Sequence, residues 1–565
     1  MANPFSGILL GLQAVIDRKV PTILGVRVST LLVIAVLLVA AIFRLWKLDS
    51  IPPGLYLDEG LVGNQASQSM RDFDWRVYYT DIVHGYEGLY PNTASIIIKA
   101  FDLTGMEREA WMLRLTSALF GILTVWGVYL LTKEMFWRSD SEPSSSLIPG
   151  LPDSALLGLV AAFLLAVSFW HVHLSRIAFS TVVAPFTMTF ATFFSFRAIR
   201  NWRIRDFGIA GFFFGLGPYG YPLARFALLF GWLPLTSGVV SRLKAFVARP
   251  REVLGPVVFL LTAFLVALPL LLFFRSNPDL LTSRAKHVGY VLDADEPLPV
   301  FWENARTTLL MFHVEGDHNW RHNIDGEPML LLPMGLLFLL GVFLLVKELV
   351  WHLARFRFWE ALPLATLLLW LPVMLLPAAL TSTELPHALR AAGALPAVVI
   401  VSALGVVRPL QLLRGWFHIR PALIIALLLV VSVFLGAQEF DKYFDDWGED
   451  PHLPGYFNQE LVDLGRYLRG LDENHDVYVI ANGDGLAVDG FPAEAQDIMF
   501  LTEGRDITYL HSDDLKSIQP SECRRLIVAL IKKDPSILES LGTTFPAMTF
   551  QEEPFAIGTL SRSCR

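Results

Sequence analysis

The sequence predicts a polytopic α-helical membrane protein, with about 11 transmembrane helices and a small C-terminal extracytoplasmic α/β domain. Three observations carry this expectation. Of the 565 residues, 54% are hydrophobic and only 17% charged, whereas soluble domains average about 45–50% apolar and about 25% charged. The apolar residues fall in long blocks, clearest at Leu31–Phe43, Leu156–Phe169, Val257–Phe274, Leu330–Val346, Ala361–Leu380 and Ala422–Leu435. Lysine and arginine cluster in alternate connections between those blocks.

A bilayer-spanning helix needs about 20 mostly apolar residues. Spans are expected near 28–46, 111–132, 154–171, 178–197, 207–221, 223–240, 253–274, 329–347, 359–380, 386–407 and 420–437. Gly215, Gly217, Pro218, Gly220 and Pro222 interrupt the stretch 207–240, which reads as two short helices or a re-entrant pair. Broken helices are tolerated at membrane depth where they line a cavity.

Cytoplasmic loops are enriched in Lys and Arg. One alternating set of connections carries Arg18, Lys19 and Arg27, then Lys133 and Arg138, then Arg197, Arg200, Arg203 and Arg205. It continues with Arg242, Lys244, Arg249 and Arg251, then Lys347, Arg355 and Arg357, then Arg408, Arg414 and Arg420. The expected topology is a multi-pass plasma-membrane protein with a cytoplasmic N-terminus and, after an odd number of spans, an outer C-terminal segment. The first apolar block lacks a small-residue cleavage site and reads as an anchor rather than a cleaved signal.

Three outer pieces are too long for turns: 47–110, 275–328 and 438–565. The expected division is a transmembrane domain over 1–437 and an extracytoplasmic domain over 438–565. In the second, helix-like and strand-like runs alternate at Gln459–Leu471, Asp476–Ala481, Arg525–Ile531, Asp534–Leu541 and Ala547–Phe550. The two cysteines, Cys523 and Cys564, both lie there. An oxidising exterior permits a disulfide, and two free thiols fit equally well.

The chain carries no Walker loop, zinc spacing or dinucleotide fingerprint. Its net charge of −8 says nothing about nucleic acid, but no basic patch lies outside the expected cytoplasmic loops, and those loops are short. Chemistry is therefore expected on the outer side. There the first loop reads Leu48-Asp49-Ser50-Ile51-Pro52-Pro53-Gly54-Leu55-Tyr56-Leu57-Asp58-Glu59-Gly60. Adjacent carboxylates next to hydrocarbon are costly. Asp58 and Glu59 suit a catalytic base, and an Asp-Glu pair is also common as a cap at the start of a helix such as the one expected near residue 58; different residues of the pair can fill the two roles. Asp72 and Asp74 could hold a divalent cation or sit in a solvated turn. Ala94–Phe101 reads as an amphipathic stretch for the membrane surface. His171 and His173 read as structural or interfacial, and Trp46, Trp111, Trp170 and Trp302 as interface-belt residues.

The first loop continues His84-Gly85-Tyr86-Glu87-Gly88-Leu89-Tyr90-Pro91. An Asp-Glu pair followed by this stretch, on a chain of many spans, resembles the GT-C glycosyltransferases. The nearest group is the protein O-mannosyltransferase and aminoarabinose-transferase superfamily, glycosyltransferase family 39-like. Similar elements extend to about residue 400: Ser175-Arg176; Gly215 to Tyr221 with Arg225; Asn277-Pro278-Asp279 with Arg284; Met311-Phe312 to Asn323 with Pro328; and Glu384 to Arg390. The resemblance implies a GT-C-like fold and a polyprenyl-phosphate sugar donor. It implies inverting transfer to an acceptor hydroxyl whose class stays open, with Asp58 as general base beside Glu59. Partial desolvation is expected to raise such a base. Arg225, Arg390, Arg321, Arg284, His387 and His322 are the expected donor-phosphate ligands. Tyr86, Glu87, Asp317 and Tyr221 are the expected substrate contacts. No cofactor is required on this reading, although a divalent cation is compatible with it, and no resident metal site is assigned.

The departures are specific. Aminoarabinose transferases carry Glu-Lys-Pro where this chain has Glu87-Gly88-Leu89, so a phosphate-contacting lysine is missing. Ser180-Thr181 stands where their second aspartate would lie. Asp445-Asp446-Trp447-Gly448 only faintly echoes the Trp-Trp-Asp-Tyr-Gly element of oligosaccharyltransferases and is not assigned to it. The competing readings are a metal-dependent oligosaccharide transferase with a diphosphate carrier and a non-catalytic GT-C-like scaffold. A secondary transporter is the least supported, because no internal repeat is evident.

Overall fold

Each expected span is a helix. The computed structural model describes residues 22–23, 26–72, 74–80, 85–137, 146–281, 283, 291–381, 383–483, 487–488, 490–521 and 524–561. Among these, nine helices are long and apolar enough to cross a membrane: Val28–Leu45, Ala110–Met135, Ser180–Asn201, Pro222–Ser241, Pro250–Ser276, Leu332–Ala354, Phe358–Ala379, Ala388–Phe417 and Pro421–Trp447. The chain is thus a multi-pass membrane protein. The two remaining expected spans are shorter helices, Asp153–Val167 and Ile204–Leu216, of 15 and 13 residues. The first stops at Ser168, and a separate helix Phe169–Leu174 follows. A carboxylate satisfies the start of that helix: Glu439 accepts from the Phe169 N–H at 2.8 Å, as helix N-termini require.

The glycine- and proline-rich interruption is a 3₁₀ turn at Gly217–Tyr219 and another at Pro222–Ala227. Tyr219 serves the neighbouring helix Leu254–Ser276, which contains Pro269. Its hydroxyl donates to the Val266 carbonyl at 2.7 Å and accepts from the Leu270 N–H at 3.2 Å. The phenol thereby enters the backbone ladder beside a proline that disturbs it. Close helix approach depends on small residues elsewhere. A Cβ on Gly341 would overlap the Val401 carbonyl, and one on Gly405 would overlap that of Leu337. This is how small residues let membrane helices pack tightly.

The chain forms two compact units. The first comprises the described residues within Met1–Trp46, Ser117–Arg176 and Ser180–Glu449; the second, those within Lys47–Thr116, Ile177–Phe179 and Asp450–Arg565. The boundary thus falls at 449/450 instead of 437/438, and the stretch Lys47–Thr116 groups with the tail. The shift has a local cause. The helix Pro421–Asp441 runs on into a π-helical turn, Lys442–Trp447, that buries Tyr443, Phe444 and Trp447.

In the second unit, strands β1 (His475–Ile480), β2 (Ile507–Leu510), β3 (Arg525–Leu530), β4 (Thr549–Gln551) and β5 (Ile557–Leu560) form one sheet in the order β4-β5-β3-β1-β2. β1 pairs in parallel with β2 and β3, while β5 is antiparallel to β3 and β4. Leu526, Val528 and Leu530 pack with Ile537, Leu538 and Leu541 of the helix Pro535–Thr544. Ile527 and Ala529 pack on the other face with Leu464, Leu468 and Ile498. Both faces are covered, which explains the unbroken apolar run of β3. The expected α/β domain is present, and β2 and β5 are strands that the expected runs did not include. Cys523 and Cys564 lie outside the described residues, as do His84 and Arg284.

Candidate functional site

The segment after the helix Val28–Leu45 enters a helix, Leu57–Asp72, with Asp58 and Glu59 in its first turn. The structure divides their roles. The Glu59 carboxylate accepts from the Tyr56 N–H at 2.9 Å, returning to the residue before the helix as a capping-box glutamate does. It also accepts from the Ala178 N–H at 2.7 Å and from Arg114 Nε and Nη2 at 2.9 and 2.8 Å. Arg114 reaches the Pro52 and Gly54 carbonyls at 2.6 and 2.7 Å. Neither side chain of this ion pair is exposed. Glu59 is thus buried and engaged on both oxygens, tying the helix start to Arg114 and the Ala178 N–H. Asp58 remains half-buried at the second helical position. The loop is held close: Gly54 has φ +60°, and a Cβ there would overlap the Phe457 carbonyl.

Arg114 and Asp497 were not anticipated as site residues. An arginine inside an apolar span demands a partner, and that was the available signal for Arg114. Asp497 is fully buried in the helix Ala495–Leu501 and accepts from Asn458 Nδ2 at 2.8 Å. Burial pushes its carboxyl well above the usual range, against the Asn458 hydrogen bond and with reinforcement from the carboxylates of Glu59, Glu494 and Asp58. No sequence pattern distinguishes such an aspartate from a surface one.

Tyr86 and Glu87 form a short buried strand paired with Tyr78–Tyr79. Tyr86 packs edge-on against Phe179, with ring centroids 6.5 Å apart. Asp74 is exposed and paired with Arg76 at 2.6 Å; the side chain of Asp72 lies outside the described residues.

In the first unit, the loop after Met311 closes on itself. The Gly316 N–H donates to the Gly326 carbonyl at 2.9 Å, and Met329 N–H to the Met311 carbonyl at 2.9 Å. Asn323 Nδ2 bridges the carbonyls of Asp317 and Glu327 at 3.2 and 2.6 Å. This closure brings three expected site residues together. Asp317 Oδ2 lies 2.9 Å from His322 Nδ1 and 3.9 Å from His387 Nδ1, and accepts from the Ala388 N–H at 2.7 Å. Burial pushes the Asp317 carboxyl up, but the two imidazoles and that N–H outweigh it and hold it well below the usual carboxylate range. Burial, with nearby positive charge, holds His387 well below its ordinary value. The expectation that both histidines face a donor phosphate meets a physical objection: they face an ionised carboxylate, beside which another anion is repelled.

The expected arginines are spread over separate partners. Arg390 donates to Thr381 Oγ1 and the Thr383 carbonyl at 2.9 and 2.7 Å. Arg321 Nε donates to Asn319 Oδ1 at 3.0 Å. Arg225 reaches the Leu281 carbonyl at 3.4 Å and lies over the Phe274 ring at 5.1 Å. All three are half-buried, and Tyr221 is buried. Two further arginines, Arg44 and Arg176, are wholly buried. Arg44 donates to the Ala166 carbonyl at 2.8 Å and to His171 Nδ1 at 2.7 Å. Arg176 donates to the Phe43 carbonyl at 3.1 Å and lies against Tyr443 and Phe444. His173 bonds the Arg321 carbonyl, so both histidines have the structural role expected of them. Trp170 does not belong to an interface belt: it is fully buried and donates to the Ala388 carbonyl at 3.1 Å.

No family model and no curated protein matches the chain. Solved structures do. The crystal structure of ArnT from Cupriavidus metallidurans bound to undecaprenyl phosphate aligns at TM-score 0.54 and 13% identity, covering 94% of this chain and 97% of that one. Its apo state aligns with the same values. The apo oligosaccharyltransferase of Archaeoglobus fulgidus aligns at 0.49 and 16% identity, over 84% of this chain and 64% of that one. The likeness to ArnT extends over almost the whole of both chains, and the GT-C glycosyltransferase fold predicted from the motif order is the fold of this chain.

Proposed function

We propose that the protein is an integral membrane glycosyltransferase that moves a sugar from a polyprenyl-phosphate donor to an acceptor hydroxyl at the outer membrane face. The observation that carries this reading is the fold likeness to ArnT over 94% of the chain, in a structure bound to undecaprenyl phosphate. The division of roles at the first loop supports it: Glu59 is committed to Arg114, and Asp58 is the half-buried carboxylate beside it. An outward-facing transferase needs a lipid-borne donor because nucleotide sugars stay in the cytoplasm.

In the proposed step the Asp58 carboxylate takes the acceptor hydroxyl proton as its oxygen attacks the anomeric carbon. The carbon–oxygen bond to phosphate breaks, its electron pair stays on the phosphate oxygen, and the anomeric centre inverts. Arg225, Arg321 and Arg390 are the cations assigned to the leaving lipid phosphate, where guanidinium donors hold phosphate oxygens in pairs. Tyr86, Glu87 and Tyr221 are assigned to substrate. Glu59 acts through Arg114 as a positioning residue. The step as written needs no cofactor. The N-terminus is placed in the cytoplasm and the second unit outside, in keeping with the basic connections.

The test is donor consumption. Purified protein in liposomes is offered polyprenyl-phosphate sugars labelled in the sugar, and release of free polyprenyl phosphate is followed by chromatography. The reading requires that at least one donor is consumed when membrane extract supplies acceptor. Folded protein that consumes none of a panel covering hexose, pentose and aminosugar donors contradicts it.

A further inference from the structure

The cluster around Asp317 contains more than a hydrogen-bonded pair. Asp317, His322 and His387 come from two stretches of chain, all three are buried, and one ligand atom from each lies within 4.8 Å of the others. Zinc ligands sit about 2.0–2.2 Å from the metal, so tetrahedral donor atoms stand about 3.4 Å apart. The two separations from Asp317 Oδ2, 2.9 Å to His322 Nδ1 and 3.9 Å to His387 Nδ1, bracket that value.

His387 supplies the second observation. Its Nδ1 is buried and makes no hydrogen bond, although it points at a carboxylate oxygen 3.9 Å away. A buried ring nitrogen with no partner loses its hydration for nothing in return. The other nitrogen, Nε2, faces Glu384 Oε2 at 3.7 Å. A carboxylate behind one imidazole nitrogen, leaving the other for an ion, is the usual outer arrangement of a metal-bound histidine. The His322 and His387 rings lie 4.9 Å apart and tilted by 31°, close enough to share one centre.

We propose that Asp317, His322 and His387 bind a zinc ion that clamps the outer loop 313–330 to the turn preceding the helix Ala388–Ala391. One carboxylate oxygen and two imidazole nitrogens form a donor set suited to zinc, whereas calcium and magnesium prefer oxygens alone. The guanidiniums of Arg321 and Arg390 act on His387 and oppose a dication; the Asp317 and Glu384 carboxylates offset them. Without the ion, the direct links between loop and turn include the Asp317 bond to the Ala388 N–H and the weak approach of His387. The zinc would replace the proton now shared between His322 and Asp317 and engage the idle nitrogen of His387. The inference does not rest on the transferase reading, because it concerns metal content.

The experiment uses the full chain, tag-free and purified in detergent without chelator. Zinc is measured by inductively coupled plasma mass spectrometry in the parent, His387→Ala, His322→Ala and His318→Ala. His318 lies in the same loop, exposed and bonded to Asp325 at 2.8 Å, and is the control. About one zinc per chain is expected in the parent and His318→Ala, and its loss in the other two. Misfolding of the two variants is addressed in the parent alone: stripping with a chelator should lower the thermal midpoint, added zinc should restore it, and cobalt should bind with the visible bands of a tetrahedral site. A parent with no zinc that also takes up neither zinc nor cobalt overturns the proposal, as does zinc retained in both His387→Ala and His322→Ala, or stoichiometric iron or manganese in its place.

Discussion

Glu59 and Arg114 form a two-pronged ion pair from which water is excluded, with Nε–Oε1 at 2.9 Å and Nη2–Oε2 at 2.8 Å. The same carboxylate starts the helix Leu57–Asp72 and receives the Ala178 N–H. One side chain thus ties a loop, a helix start and the arginine of a following helix together within the second unit. Asp58 inherits its place from that arrangement.

Removing one partner of the pair strands the other. Arg114→Ala leaves a buried carboxylate uncompensated, and the expected cost is about 3–5 kcal/mol. The double variant Glu59→Ala with Arg114→Ala should recover part of that loss. Thermal unfolding of the detergent-solubilised variants, followed by tryptophan fluorescence, checks both. A single variant as stable as the parent would mean the pair contributes nothing.

Asp497 predicts a pH dependence. Its folded pKa is raised, chiefly by burial, so the folded protein keeps a proton that the unfolded chain releases near pH 3.9, about the ordinary aspartate value. The extra proton is bound only by the folded state, so stability falls as pH rises from there through the folded pKa. Asp497→Asn removes the ionisable group. The variant should gain thermal midpoint relative to the parent at pH 8 and gain little at pH 4.5. Parallel profiles would show that the group titrates normally.

Gly54 sits at φ +60°, and a Cβ there would overlap the Phe457 carbonyl. Gly54→Ala should destabilise the second unit by more than about 1 kcal/mol, from strain and collision together. Limited proteolysis should then cut the Lys47–Thr116 stretch faster than in the parent. Unchanged cleavage would contradict the close approach.

The membrane helices were legible because a bilayer imposes length and apolarity on each, and all eleven expected stretches are helical. Where the helix Asp153–Val167 stops was less so, since Ser168 and the Glu439 carboxylate that receives the next helix lie far apart in sequence. The sequence allows the Asp58–Glu59 pair to divide a capping and a catalytic role, but does not say which residue takes which. Which residue caps depends on Arg114 and the Ala178 N–H, neither of which is local. Trp170 failed as a belt residue for a similar reason: an indole suits an interface, but its burial against the Ala388 carbonyl is a tertiary fact. The Asp317 cluster had its members named in the sequence, while their meeting depends on the closure of the loop 313–330.

The most direct measurement compares Asp58→Asn with Glu59→Gln in the liposome assay, at equal amounts of protein with matched gel-filtration profiles. The account predicts that Asp58→Asn lowers the rate of sugar transfer about 10²–10⁴-fold, the usual worth of a general base, without lowering the thermal midpoint. Glu59→Gln should lower the midpoint, and any activity it retains should still depend on Asp58. Transfer by Asp58→Asn at the parent's rate would contradict the central claim and leave both carboxylates as parts of the fold.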